Sequence, residues 1–147
     1  MVDLHRKKVL ILCTGNSCRS QMAEALINDC MHDTWVAYSA GTKPKGYVHL
    51  LALKVLKEIG ISHFGKSKNI VDLPKIDFNL VITVCDDAAE NCPTWLGEGK
   101  RVHLGFPDPA LAEGSEEERL AAFQSVRDDI AKKVLGYLEK YSVNNQG

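Results

Sequence analysis

The segment Lys8-Val-Leu-Ile-Leu-Cys13 is an unbroken apolar run of strand length. A run without polar alternation fits a strand buried on both faces, the condition of a parallel sheet covered on each side. From Ser17 to Met31, apolar residues then recur at Met22, Ala23, Leu26, Ile27, Cys30 and Met31. That is helical spacing, so the strand passes through a short loop into a helix, with Cys30 expected in the core. The β-rich stretch Thr34 to Ser39 reads as a second strand. Val48 to Ile59 carries a second helical stripe, with Gly60 placed to stop it.

The alternation continues. Phe78 to Val84 reads as a third buried strand, Asp86 to Asn91 as a short helix interrupted by Pro93, and Arg101 to Leu104 as a fourth strand. Ser115-Glu-Glu-Glu118 has the capping-box pattern. The helix it opens is expected to run to about Tyr141, with Leu120, Phe123, Val126, Ile130, Val134 and Tyr137 on one side. Strands alternating with helices mean βαβ units. The expected fold is therefore α/β, a four-stranded parallel sheet flanked by helices on both faces. With 147 residues, the chain reads as one domain spanning 1–147.

Composition excludes several classes. At 45% hydrophobic and 25% charged residues, the chain is neither disordered, nor collagen-like, nor a coiled coil. A net charge of −1 leaves no broad footprint for nucleic acid or an anionic membrane. The apolar run near the N-terminus is too short for a signal peptide or membrane span, so a cytoplasmic location is expected. Five cysteines, at 13, 18, 30, 85 and 92, then point to catalytic or redox use rather than a structural framework.

In parallel sheets, ligands bind beyond the carboxyl ends of the strands. Cys13 and Cys85 follow the first and third strands, and Pro107-Asp108-Pro109 follows the fourth. The first loop, Cys13-Thr14-Gly15-Asn16-Ser17-Cys18-Arg19-Ser20, holds a Cys-x5-Arg pattern between strand and helix. Gly15 and Asn16 can take unusual backbone angles, turning successive N–H groups inward as an anion nest. The helix adds the free N–H groups of its first turn. Arg19 offers a planar fork to two oxygens of a tetrahedral oxyanion. Cys13 would sit beneath that anion, where positive potential favours the thiolate.

This loop resembles that of the low-molecular-weight tyrosine phosphatases, and the likeness extends to Asp108-Pro109, where that family keeps its general acid. It covers about residues 7 to 140. The resemblance implies a thiolate attacking an oxyanion centre. Two further cysteines shape the chemistry. In Cys85-Asp-Asp-Ala-Ala-Glu-Asn-Cys92-Pro93 the thiols are seven residues apart. In an intact helix that is about 10 Å along the axis. A disulfide needs Cα atoms within roughly 7 Å, so bonding requires the segment from about Asp86 to Trp95 to unwind.

Loop and pair together resemble the thioredoxin-coupled arsenate reductases. Reducing arsenate to arsenite takes two electrons, which two thiols supply on becoming a disulfide. By this resemblance Cys13 is the nucleophile, Cys85 and Cys92 the relay, Arg19 the anion clamp and Asp108 the acid. Ser20 would hydrogen-bond the thiolate, and residues 14–20 would hold the oxyanion. No bound cofactor or metal is expected, since reducing equivalents come from thioredoxin. The expected partners are arsenate and thioredoxin, with a monomer as the default state.

Asn16, Glu24 and Ser39 match positions that support the loop from below. Some family members hold a potassium ion there, and the aligned position here is Lys68. Cys18 is assigned a packing role, and His49 and His63 are read as surface or loop residues. A tyrosine phosphatase is the main alternative, weakened because Ala110-Leu111, not aromatic residues, follow Asp108-Pro109. A redox-sensing binding module is a second alternative, but it would need neither Asp108 nor the loop. A zinc site at Cys85, Cys92 and His103 lacks paired ligand spacing.

Overall fold

The computed structural model describes residues 6–86, 97 and 99–144. Strand β1, Lys7–Cys13, lies inside a four-stranded parallel sheet of order β2-β1-β3-β4. Its neighbours are β2, Trp35–Gly41, and β3, Leu80–Thr83, with β4, Lys100–His103, at the far edge. Val9, Leu10, Ile11 and Leu12 are all fully buried. Alternate residues enter different cores: Val9, Ile11 and Cys13 join the larger cluster, while Leu10 and Leu12 join a smaller one. Burial of each such side chain is worth about 1.5–3 kcal/mol, which is why an unbroken apolar run marks this strand.

The larger cluster takes in the apolar stripes of α1, Arg19–Cys30, α2, Leu50–Glu58, and α3, Glu116–Ile130. The smaller one packs Leu10, Leu12, Ala40, Phe78 and Val81 against Tyr38, Ile70, Leu73 and Ile76. A short 3-10 helix, Ile70–Asp72, belongs to that side. Phe78, read as part of the third strand, is buried just ahead of it. The expected short helix at 86–91 lies outside the described residues from 87 onward.

The capping box at α3 is complete. The Ser115 hydroxyl accepts from the Glu118 N–H, and the Glu118 carboxylate accepts from the Ser115 N–H. A π-helical turn, Ala131–Leu135, joins α3 to α4, Gly136–Asn144. Tyr137 packs against the larger cluster, as expected of that side, and Leu138 beside it is fully buried.

Cys30 also departs from expectation: it is exposed. It is the last residue of α1, where the chain turns back and the Trp35 N–H bonds the Met31 carbonyl. Met31 takes the inner position instead. Gly60, with φ +86°, terminates α2 in a left-handed conformation, as its placement suggested.

Candidate active site

The carboxyl ends of β1, β2 and β3 set the site. Cys13 pairs with Gly41, and Leu12 pairs with Thr83. A Cβ at Gly41 would run into the Thr14 carbonyl, so the loop after β1 can cross the end of β2 only over a glycine. Asn16 has φ +48° and is the one non-glycine residue with positive φ among the described residues. Asparagine tolerates this left-handed geometry better than most side chains. Gly15, which shared that expectation, does not have positive φ.

Residues Cys13 to Arg19, with Asp108, line one cavity of about 260 Å³. Cys18 is the N-cap of α1 and its side chain makes no capping bond, and the first turn contains no acid. The helix N-terminus therefore offers its N–H groups and positive potential to an anion in the cavity. Arg19 is buried; its Nη1 donates to the Phe106 carbonyl at 3.1 Å, and its Nη2 lies 3.8 Å from Asp108 Oδ2. The other Asp108 oxygen caps the 3-10 helix Pro109–Leu111 by accepting from the Ala110 N–H.

Cys13 is a buried free thiol. Its sulfur accepts from the Asn16 N–H at 3.2 Å and lies 2.8 Å from the Ser20 hydroxyl. Cys18 is also a free thiol; burial first, and Asp108 second, push its pKa up to about 12. It stays protonated at neutral pH, in keeping with a packing role rather than a second nucleophile.

Cys85 is fully buried in the same cluster as Cys13 and Cys18. It stands two residues past Thr83, the last residue of the strand that pairs with β1. Cys85 is disulfide-bonded, whereas Cys13 is free. Cys92 lies outside the described residues, as does most of the segment expected to unwind.

The support beneath the loop is larger than the sequence suggested. Asn16 Nδ2 donates to Ser20 Oγ at 2.7 Å, and Asn16 Oδ1 accepts from Gln21 Nε2 and the Lys68 N–H. The Ser39 hydroxyl donates to Glu24 at 3.0 Å. Lys68 Nζ lies 3.9 Å from Glu24 and donates to the Lys66 carbonyl. A lysine ammonium thus supplies positive charge facing Glu24. Burial raises the Glu24 pKa, opposed by Lys68 and Ser39. Among the described residues, no group of three or more His, Cys, Asp or Glu is placed to hold a metal ion.

His63 lies in a loop, as expected, but its side chain is largely covered: it is 8% exposed, with Nε2 2.7 Å from Gln21 Oε1 and 3.6 Å from Glu24. Burial, then Lys68, lowers its pKa. His49 is half-buried: its ring packs 4.7 Å from that of Phe123, and Nδ1 caps α2 by accepting from the Leu51 N–H. Sequence reasoning also missed Gln21, buried in the first turn of α1, and Lys43 and Lys45 in the cavity wall. A Lys-Pro-Lys just past β2 was the available signal for the last two.

The family model for low molecular weight phosphotyrosine protein phosphatase matches residues 8–146. A protein of Bacillus subtilis (strain 168) named arsenate reductase is 43% identical over 137 residues, 92% of this chain and 98% of that one. Its namesake in Bacillus licheniformis is 46% identical over 138 residues, with the same coverage. A solved structure described as an arsenate reductase in the phosphate binding state superposes with a TM-score of 0.71 at 27% identity. That match covers 91% of this chain and 98% of the other. A low molecular weight phosphotyrosine phosphatase from Vibrio cholerae O395, at 20% identity and TM-score 0.71, covers 95% and 99% and shares the fold.

Proposed function

This chain belongs to the low molecular weight phosphotyrosine protein phosphatase family, and within it we propose that the protein reduces arsenate to arsenite through a cysteine relay recharged by thioredoxin. The observation that carries this reading is the placement of Cys85. A phosphatase needs one thiolate and one acid; here Cys85 is buried in the same cluster as Cys13, two residues past the end of the strand that pairs with β1. The 43–46% identity to the two arsenate reductases supports the substrate.

Arsenate resembles phosphate in shape and charge, so the anion loop and Arg19 hold it. Cys13 attacks arsenic, forming an S–As bond, and one oxygen leaves as water after taking a proton from Asp108. Cys85 then attacks the Cys13 sulfur. The S–As bond breaks, its electron pair stays on arsenic, and As(V) leaves as As(III) while Cys13 and Cys85 become a disulfide. Cys92 attacks Cys85, moving the disulfide and releasing Cys13 as a thiolate. Thioredoxin reduces that second disulfide, and each exchange proceeds by thiolate attack on sulfur. A disulfide at Cys85 with Cys13 free accords with the end of such a relay. The Cys-x6-Cys spacing supports thioredoxin as the donor.

The test is arsenate-dependent NADPH oxidation with thioredoxin and its reductase, run beside para-nitrophenyl phosphate hydrolysis. Arsenate turnover should dominate. Cys92→Ser should release one arsenite per enzyme and stop as a Cys13–Cys85 disulfide, while Cys85→Ser should release none. Phosphatase activity without arsenate turnover would overturn the reading, and sustained turnover by Cys92→Ser would remove the third thiol from it.

A further inference from the structure

Two lysines in the cavity wall belong to neither the anion loop nor the relay: Lys43 and Lys45. Their segment is fastened to the loop along its length. The Lys43 N–H donates to the Thr14 carbonyl at 3.0 Å, the Lys45 N–H to the Gly15 carbonyl at 2.9 Å, and the His49 N–H to the Ser17 carbonyl at 3.0 Å. Ser67 adds a brace, donating to the Gly15 carbonyl and accepting from the Gly46 N–H. These contacts use carbonyls of the loop rather than its N–H groups.

The Lys45 side chain lies along Gly15. A Cβ there would stand 3.2 Å from Lys45 Cγ and 3.3 Å from Cε. The alkyl stem is therefore seated on the loop, with the charged end in solvent. Both lysines are exposed and neither forms an ion pair among the described residues. The Lys45 charge reaches Cys18 and lowers its thiol pKa, against the larger effects of burial and Asp108.

With Arg19, the cavity has three cationic side chains against one carboxyl, on a chain whose net charge is −1. Attraction of an anion is thus local. A cleft lined by one sign of charge concentrates ions of the other sign and raises their on-rate.

We infer that Lys43 and Lys45 form an outer cationic collar that captures the incoming oxyanion ahead of the Arg19 cradle and favours anionic over uncharged species. The collar rests on the arsenate reading for its physiological ligand. Arsenate is anionic at neutral pH, whereas arsenite leaves as uncharged arsenous acid. The collar therefore speeds entry without retaining product, and its effect falls on kcat/KM.

The experiment measures kcat/KM for arsenate from low salt to about 0.3 M ionic strength, where exposed charges are largely screened. Lys43→Gln/Lys45→Gln should lose about tenfold in kcat/KM at low salt and most of the wild-type salt dependence, with kcat within about twofold. Lys45→Arg in the wild-type background should retain both. Lys54→Gln, the same charge change on α2, should leave the salt slope at the wild-type value. A double variant with wild-type kcat/KM and slope would overturn the collar.

A second readout does not need turnover: protection of Cys13 from iodoacetamide by inorganic phosphate, followed by mass spectrometry. Half-protection should require about tenfold more anion in the double variant at low salt. An unchanged half-protection concentration overturns the collar even in a protein that reduces no arsenate. Absence of arsenate turnover in wild type overturns only the reductase reading.

Discussion

The Ser20 hydroxyl lies 2.8 Å from the Cys13 sulfur, placed to donate its hydrogen to a thiolate there. Its direction follows from its neighbours. Asn16 Oδ1 is occupied by Gln21 Nε2 and the Lys68 N–H, so Asn16 Nδ2 faces Ser20 Oγ and donates to it. The Ser20 oxygen is thereby an acceptor from Asn16, and its own hydrogen is left for sulfur. Gln21 continues the chain, since its Nε2 is a donor and its Oε1 must accept from His63 Nε2–H.

Ser20→Ala removes that donor and leaves Asn16 Nδ2 facing no acceptor. A hydrogen bond to a charged group is worth about 1.5–3 kcal/mol, so alkylation of Cys13 by iodoacetamide at neutral pH should slow by roughly 10–100-fold. A rate matching wild type would detach Ser20 from the nucleophile.

Asp108→Asn keeps the oxygen that caps the 3-10 helix Pro109–Leu111, so the fold should hold. The proton for the leaving oxygen is lost. The single-turnover rate with arsenate should fall by roughly 10²–10⁴-fold. An unchanged rate would remove Asp108 from the chemistry.

Lys68 Nζ faces the Glu24 carboxylate across 3.9 Å. Potassium should then change neither melting temperature nor arsenate affinity relative to sodium at equal ionic strength. Lys68→Asp should create a potassium dependence of both, because a ligand that binds only the native state stabilises it. Potassium-specific stabilisation of the wild type would contradict this.

His63 and His49 have pKa values lowered by burial. Their neutral forms are favoured in the native state, so their stabilising contribution is present above the ordinary value of about 6.5 and is lost as pH falls through the lower native values. Glu24, raised by burial, acts in the opposite sense: its contribution is complete below 4.5 and is lost as pH rises through the native value. His63→Gln preserves a donor toward Gln21 while removing the titration. Urea midpoints between about pH 7.5 and pH 5 should decline less steeply in this variant than in wild type. Equal slopes would mean that His63 does not titrate differently on unfolding.

Much of this protein is fixed by short-range pattern. The buried run before Cys13, the helical stripe of α1, the box at Ser115 and Glu118 and the stop at Gly60 depend on residues within a few positions of one another. Those features survive folding unchanged because their causes are local: side-chain period, an unpaired helix N–H, a left-handed backbone. The Cys-x5-Arg loop was legible for the same reason, as was the contact of Ser20 with Cys13; the family likeness marked Asn16, Glu24 and Ser39 only as supports of the loop.

What closed the site was not local. Arg19 is held by the Phe106 carbonyl, 87 residues away, and His63 reaches Gln21 across 42. Lys45 joins the cavity only because the segment after β2 bonds the loop after β1. Periodicity placed Cys30 in the core, but the end of α1 turns away there. It missed Leu138, fully buried beside Tyr137. The sequence alone determined which segments become strands and helices, and which chemical groups stand at the strand ends. Only the tertiary structure decided which of them share a cavity, because that depends on long-range packing, and long-range packing leaves no period in the chain.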